Sequence, residues 1–208
     1  MIGRFVVMML LLLWAVASVA MAHDPQKVKE LTFTTFDVTY DNSLGIPVYV
    51  RWDITPSDLG DVKRSPSWGF RQDRRITKPC ATSSDYTRSG YQRGHMCPAA
   101  DRSSSVAKMK ETFTMANVCP QSPALNCGRW LQSEERARYL ARQIGKVHVR
   151  VAPLFFHMDT TFIGQHRVAV PHGFIKVIYQ ADSVTAIHTE LFTNQNIRYE
   201  DAKRNPKQ

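Results

Sequence analysis

The pattern of apolar and polar residues first predicts a pair of strands early in the chain. Two segments, Thr32 to Tyr40 and Pro47 to Ile54, are rich in valine, threonine and aromatic residues, which roughly alternate with polar ones. Such alternation is typical of a strand with one buried face. The polar segment Asp41 to Gly45 lies between them and predicts a turn.

Helical periodicity occurs in two places further along the chain. Apolar residues at helical spacing, mixed with many charged ones, predict a helix from Gly128 to Gln143, with Gly145 ending it. The serines at positions 103 to 105 predict a cap for a shorter helix that runs to about Met115. The segment Asp58 to Ser84 has no periodicity, which predicts a long surface loop.

The second half of the chain adds further strand-like segments. They are Val147 to Phe156, Arg167 to Pro171, Phe174 to Gln180 and Val184 to Leu191. No repeat, linker or low-complexity block separates them from the rest. The pattern therefore predicts one α+β domain, with a mixed, largely antiparallel sheet flanked by helices.

The N-terminus has the features of an export signal. Arg4 precedes an apolar run from Phe5 to Val16, and small residues follow up to Ala22. This arrangement predicts a secretory signal peptide over residues 1–22, cleaved after Ala22, and a single domain over residues 23–208. A retained anchor helix is the alternative, but the run is shorter than the roughly 20 apolar residues that a spanning helix needs. We therefore expect a secreted or periplasmic protein with no stable membrane association after cleavage.

Charge and cysteine content narrow the class of protein. Without Arg4 the chain has 26 basic and 18 acidic residues, a net charge of +8, which suits a polyanion-binding protein but is common among exported proteins. Four cysteines, at positions 80, 97, 119 and 127, predict up to two disulfides in an oxidising compartment, with three connectivities open. A zinc site is the competing interpretation, and the lack of a Cys-x-x-Cys pair in the sequence disfavours it.

Candidate chemistry is concentrated around His95 and Asn126. Hydrolysis of a phosphodiester needs a base to deprotonate water, a cation, and positive charge for the phosphorane-like oxygens. Histidine is largely neutral at pH 7, so His95 can serve as the base, and Arg93 lies beside it. The amide oxygen of Asn126 is a hard, neutral ligand suited to Mg²⁺. The alternatives are a hydrogen-bonded core histidine at position 95 and a helix N-cap at position 126.

The segments around these two residues resemble the DNA/RNA non-specific endonuclease family, whose active sites are of the ββα-metal type. The resemblance covers roughly residues 33–196 and rests on several motifs that occur in one order. These motifs are Tyr91-Gln92-Arg93-Gly94-His95-Met96, Pro98-Ala99-Ala100-Asp101, Thr112-Phe113, Asn117, Pro120-Gln121, Asn126, Trp130, Glu134 and Pro171-His172-Gly173-Phe174-Ile175-Lys176-Val177.

The resemblance implies a metal-dependent endonuclease that hydrolyses DNA and/or RNA with little sequence specificity and leaves 5′-phosphate and 3′-hydroxyl ends. It implies His95 as the general base and Mg²⁺, or Mn²⁺ in its place, held by Asn126. Glu134 would orient water and Arg138 would bind a phosphate, while Arg93 would bind the scissile phosphate or brace the His95 loop. An ordinary i,i+4 surface pair is the alternative for Glu134 and Arg138.

A dense basic stretch precedes the His95 motif and is interleaved with Trp68 and Phe70. Its charged residues are Lys63, Arg64, Arg71, Arg74, Arg75 and Lys78. Phosphate contacts and base stacking would suit a nucleic-acid groove, and a solvated loop is the alternative. From this stretch we take Arg71 and Arg74 as candidate substrate-binding residues, together with Arg129 next to the second motif.

Two positions depart from the family pattern. Gln92 stands where the family motif has an aspartate, which would accept a hydrogen bond and also supply negative charge. After Asn196 the chain has a polar, charged tail in place of the family's closing helix. These departures motivate a second hypothesis, a catalytically inactive nuclease fold that binds nucleic acid. A third is an exported protein that binds acidic polysaccharide. The sequence leaves open the oligomeric state and the choice between DNA and RNA.

Overall fold

Within the described residues the chain forms ten strands and three α-helices. The computed structural model describes residues 27–76, 80–156, 160–181 and 185–195. The strands are β1 (Val28–Thr32), β2 (Asp37–Asp41), β3 (Ile46–Ile54), β4 (Gln92–His95), β5 (Val118–Gln121), β6 (Val147–Leu154), β7 (Thr161–Ile163), β8 (Val168–Val170), β9 (Gly173–Gln180) and β10 (Ala186–Thr193). The helices are α1 (Val106–Glu111), α2 (Pro123–Asn126) and α3 (Arg129–Ile144).

A six-stranded sheet forms the centre of the molecule. Its order is β1-β2-β3-β6-β9-β10, and every neighbouring pair is antiparallel. Strand alternation places Trp52 and Val149 as partners on the buried face, while Arg51 pairs with Arg150 on the exposed face. This confirms the predicted α+β class and the largely antiparallel sheet.

Helix α3 covers the buried face of the sheet, where it packs near β3, β6 and β10. Trp130, Ala137 and Ala141 lie on its buried side and belong to the main apolar core, as the predicted helical spacing requires. The helix ends at Gly145, whose φ of 88° is unfavourable for residues with a Cβ. The strongest helix prediction from the sequence is therefore confirmed.

A separate two-stranded hairpin, β4–β5, positions the His95 motif. Its register pairs Gln92 with Gln121 and Gly94 with Cys119. A Cβ on Gly94 would lie 2.2 Å from Oε1 of Gln121, so the position accepts only glycine without displacement of that side chain. Neither strand was predicted, because four residues are too few to show an alternation.

Other boundaries also differ from the sequence-based expectations. The predicted strand Thr32 to Tyr40 is divided into β1 and β2, because the chain reverses where the stacked rings of Phe33 and Phe36 lie 4.4 Å apart. Helix α1 is capped by Ser105, as expected, but ends at Glu111 instead of Met115. Strands β1 and β7 had no separate prediction.

Several predicted features lie outside the described residues. They are the signal peptide over residues 1–22, the polar tail after Asn196, Lys78 in the basic stretch, and Val184 at the start of the last predicted strand. No helix in the described part of the chain is long and apolar enough to cross a membrane.

No disulfide joins any of the four cysteines, which all lie within the described residues, so the predicted disulfides are not present in the structure. Cys80, Cys97 and Cys119 are buried, whereas Cys127 is exposed. Burial raises the pKa of Cys97 to about 12 and holds the pKa of Cys119 well above its usual value. The buried thiols behave as small apolar side chains in the core.

Candidate active site

His95 lies at the end of β4 in an aromatic pocket. The ring centroids of Phe70 and Phe113 are each 4.9 Å from the imidazole centroid, and Phe113 meets it edge-on. Phe113 comes from the segment after α1 and Phe70 from the long loop, so the pocket is assembled from three distant parts of the chain. Nothing in the amino-acid sequence identifies the two rings as partners of His95.

The backbone that carries His95 is held by buried hydrogen bonds. Asn117 accepts one from the Met96 amide through its backbone oxygen (2.9 Å) and one from the Cys97 amide through Oδ1 (2.8 Å). Its Nδ2 donates to the carbonyls of Cys97 (2.9 Å) and Thr112 (3.1 Å). The indole of Trp130 donates to the His95 carbonyl at 3.2 Å. These contacts fix the position of His95 and give Asn117 a structural role.

The surroundings of His95 favour its neutral form. Burial, and to a smaller extent the positive charge of Arg64, lower the pKa of His95 to about 3. Nε2 is buried and has no hydrogen-bond partner among the described residues. The imidazole is therefore a neutral ring at pH 7 with a nitrogen that no protein group occupies.

Asn126 is the last residue of α2 and lies beside β4. Its Nδ2 donates to Oε1 of Gln92 at 2.7 Å, which brings together the two motifs that the sequence singled out. The alternative interpretation of Asn126 as an N-cap is wrong, because Gly128 occupies the N-cap position of α3.

Glu134 and Arg138 share a face of α3, but Arg138 is directed to a different partner. Its Nη1 lies 2.9 Å from Oδ1 of Asp101, a fully buried carboxylate that also accepts a hydrogen bond from the Trp52 indole. Only 13% of the Arg138 side chain is exposed. The ordinary surface pair of Glu134 with Arg138 is therefore wrong, and the Arg138 guanidinium is held by a protein carboxylate.

Glu134 lies in a cluster of buried charges. Burial raises the pKa of Glu134 to about 7, opposed chiefly by the positive charge of Lys176. Lys176 on β9 is buried, donates to Oγ of Ser133 at 2.7 Å and lies 3.8 Å from the Trp130 ring centroid. Burial lowers the pKa of Lys176 to about 8, and Glu134 opposes that shift.

Two arginines remain exposed next to His95. Arg93 donates to the Ser83 carbonyl at 3.2 Å, and its Cζ lies 5.8 Å from the Phe70 ring centroid. Cζ of Arg64 lies 5.0 Å from the Phe113 ring centroid. Arg64 was one residue of the predicted basic stretch, but nothing in the sequence distinguished it from its neighbours.

Of the other predicted substrate-binding residues, two line an adjoining depression and one is already paired. Arg71 and Arg74 line a surface depression of about 420 Å³ that also includes Phe113, one wall of the His95 pocket. Arg129 forms an ion pair with Glu190 at 2.8 Å. The structure thus brings His95, Arg93 and Asn126 to one hairpin and its neighbouring helix end, with Arg64 added.

The described side chains offer few ligands to a metal ion. In the described ranges no three or more His, Cys, Asp or Glu side chains are arranged to hold a metal. Asn126 is half-buried, and no donor in those ranges hydrogen-bonds to its Oδ1. A hard neutral oxygen that no donor occupies fits an ion such as Mg²⁺, which keeps several of its waters and needs few protein ligands.

Comparison with known sequences finds a family and relatives to which the chain is similar. The sequence model of the DNA/RNA non-specific endonuclease family matches residues 19–206. The mitochondrial endonuclease G of Bos taurus is 34% identical over 155 residues, covering 69% of this chain and 52% of that protein. The Homo sapiens enzyme is 34% identical over 179 residues, covering 81% of this chain and 60% of that protein. The chain spans little more than half the length of these curated relatives.

A solved structure has the same fold. The structure of EndoG in complex with EndoGI, which concerns the mechanism of EndoG inhibition, aligns with a TM-score of 0.73 and 29% sequence identity. The alignment covers 81% of this chain and 75% of that chain. With the family match over nearly its whole length, the chain belongs to the DNA/RNA non-specific endonuclease family.

Proposed function

We propose that the protein is a metal-dependent endonuclease that hydrolyses phosphodiester bonds of DNA and/or RNA with little sequence specificity. The observation that carries this proposal is His95, a neutral imidazole with an unoccupied buried nitrogen. Exposed arginines lie beside it, and an available amide oxygen lies on the adjacent helix end. Membership of the endonuclease family supports the same reaction.

His95 would act as the general base. A neutral imidazole can take a proton from the attacking water, and the aromatic walls of Phe70 and Phe113 keep the ring neutral below pH 7. The hydrogen bonds of Asn117 and Trp130 hold the backbone on either side of the ring. The base is therefore in place before substrate arrives, which favours rapid proton transfer.

Asn126 would hold the metal ion through Oδ1. When bound, Mg²⁺ polarises the phosphate and stabilises the leaving oxygen, and Mn²⁺ is an alternative ion of similar ligand preference. Glu134 would orient water when it is ionised. Arg93 and Arg64 would bind phosphate oxygens because both are exposed and near His95. Arg138 would act indirectly, by neutralising Asp101 beside the site.

We also propose that the protein acts outside the cytoplasm, as a secreted or periplasmic enzyme. The support is the arrangement of Arg4, the apolar run to Val16 and the small residues before Ala22. Sequencing of the N-terminus of the exported protein tests the predicted cleavage after Ala22. A mature chain that still begins upstream of Phe5 would contradict it.

The test of the proposed activity is cleavage of supercoiled plasmid and of RNA, with Mg²⁺ or with EDTA. Wild type is compared with His95→Ala, Asn126→Ala and the control His148→Ala, which removes a histidine paired with Asp53 on the exposed sheet face. Cleavage that needs metal and is lost in the first two variants supports the proposal. Intact plasmid with retained nucleic-acid binding would instead identify an inactive nuclease fold.

A further inference from the structure

Gln92 is the residue that connects the two predicted motifs. It begins β4, and its Oε1 accepts a hydrogen bond from Nδ2 of Asn126 at 2.7 Å across 34 positions of sequence. The thiol of Cys127 lies 3.4 Å from the same oxygen and donates to it. Two consecutive residues at the end of α2 therefore donate hydrogen bonds to one side-chain oxygen of β4.

This contact determines which atom of the Asn126 amide is left for a ligand. An amide presents either its oxygen or its NH₂ group, depending on how the group is rotated. Oε1 of Gln92 can pair only with the NH₂ group, so the contact keeps Nδ2 engaged and leaves Oδ1 without a protein partner in the described chain. The thiol of Cys127, a weak donor, contacts the same oxygen of Gln92 at 3.4 Å.

We infer that Gln92 is a positioning residue for metal binding, which orients the Asn126 amide so that Oδ1 is the ligand atom. The inference rests on the proposed role of Asn126 as metal ligand. Groups that orient a ligand commonly change metal affinity by about 10- to 100-fold when they are removed. Gln92 is neutral, so it performs this role without adding negative charge to the site.

The substitution Gln92→Leu removes the hydrogen-bond acceptor and replaces the amide with an apolar side chain of similar size. Gln92→Glu keeps the length and provides oxygens that only accept hydrogen bonds when ionised. Gln143→Leu makes the same chemical change as the first variant, at an exposed position near the far end of α3. Circular dichroism and a thermal melt establish that all variants are folded.

The first measurement is direct and does not depend on activity. The side-chain ¹⁵N–¹H₂ signals of Asn126, assigned by their loss in Asn126→Ala, report the hydrogen bond to Gln92. We expect slowed solvent exchange of these protons in wild type and Gln92→Glu, and faster exchange in Gln92→Leu. Equal exchange rates in wild type and Gln92→Leu would show that the contact is not formed in solution, which overturns the inference.

The second measurement is Mn²⁺ affinity, followed by electron paramagnetic resonance with a short DNA strand bound in a His95→Ala background that prevents cleavage. We expect Gln92→Leu to weaken Mn²⁺ binding by about tenfold or more. Gln92→Glu should bind at least as tightly as wild type, and Gln143→Leu should equal wild type. Unchanged affinity in Gln92→Leu overturns the inference, provided that Asn126→Ala abolishes binding.

Failure of the proposed function gives a different result. If Asn126→Ala binds Mn²⁺ as tightly as wild type, Asn126 is not the ligand, and both the metal assignment and the role of Gln92 are overturned together. In active enzyme, the positioning role predicts a higher metal requirement in Gln92→Leu. The rate at saturating Mg²⁺ should return towards that of wild type, which a merely damaged fold would not allow.

Discussion

Burial shifts the pKa of a side chain in opposite directions in two regions of this protein. Around His95, aromatic rings exclude water and lower the pKa to about 3. Around Glu134, burial raises the pKa to about 7. In both places burial favours the neutral form of the side chain.

The neutral form is useful in only one of the two regions. A neutral imidazole is a base ready to take a proton, whereas a neutral carboxyl group can no longer accept hydrogen bonds through both oxygens. The second region therefore contains compensating cations, since Lys176 and Arg138 both oppose the rise in the Glu134 pKa. The comparison indicates that burial, with a smaller contribution from Arg64, keeps the base neutral, while the acidic group depends on a buried lysine to remain ionised.

The largest expected effect comes from removal of the base. His95→Ala should lower the cleavage rate by about 10²- to 10⁴-fold, because general-base catalysis contributes roughly that factor. DNA binding should remain, since Arg64 and Arg93, the proposed phosphate-binding residues, are intact. Single-turnover cleavage and fluorescence anisotropy measure the two quantities. A variant that loses binding and rate in equal proportion would argue for a structural role of the imidazole.

Lys176→Met removes the buried cation beside Glu134 and replaces it with an apolar side chain of similar length. Loss of the buried cation removes its lowering effect on the pKa of Glu134, so the carboxyl group becomes more protonated at pH 7. We expect the acid limb of the rate profile to move to higher pH, with about a tenfold lower rate at pH 7. Lys29→Met on the exposed part of β1 is the matched control. In Glu134→Gln the acid limb of the pH–rate profile should disappear. If the acid limb persists, another titrating group causes it.

Phe70→Leu tests the first region by opening one wall of the His95 pocket. Better hydration should raise the pKa of His95 from about 3 towards its ordinary 6.5, which a histidine-detected NMR titration measures. The rate at mildly acidic pH should fall several-fold, because more of the base is protonated. An unchanged His95 titration would show that the ring of Phe70 does not control its hydration.

The same pKa shift has a consequence for stability. Because the pKa of His95 is lower in the folded state, the unfolded chain binds more protons between about pH 3 and 6.5. His95 should therefore lower the free energy of unfolding as the pH falls through that window, and more weakly in Phe70→Leu. Urea titrations at several pH values measure this difference.

The smallest expected effect separates a free arginine from a paired one. Arg64 is exposed beside His95, whereas Arg129 is already held by Glu190 at 2.8 Å. Arg64→Gln should make the plot of log affinity for DNA against log salt concentration shallower by about one unit. Arg129→Gln should change the slope little, and the reverse order would show that Arg129 leaves Glu190 when nucleic acid binds.

The elements that the sequence predicts well are those determined by the residue pattern of one continuous segment. Helix α3 has apolar residues on one face and a terminal glycine, so its spacing and its end are both visible in the chain. The central strand β3 similarly alternates over nine residues. The family resemblance also linked the segments around His95 and Asn126, and the hydrogen bond between Asn126 and Gln92 shows that these segments lie side by side.

Long-range contacts explain what sequence could not predict. Asp101 meets Arg138 across 37 positions, and the spacing of Arg138 along its helix gives no sign of such a buried partner. The pocket of His95 likewise depends on Phe70 and Phe113, which are 43 positions apart in the sequence. The disulfide prediction failed for a related reason, since an even number of cysteines does not determine whether their side chains meet.

Trp130 connects the two regions compared above. Its indole nitrogen donates to the carbonyl of His95, its ring lies against Lys176, and the same ring packs on Phe174 and Phe192. The base and the charged cluster thus share one rigid side chain as their common support. Their thermal motions should be correlated, so warming should bring loss of activity and loosening of the core at the same temperature, without a prior stage in which the site alone becomes mobile.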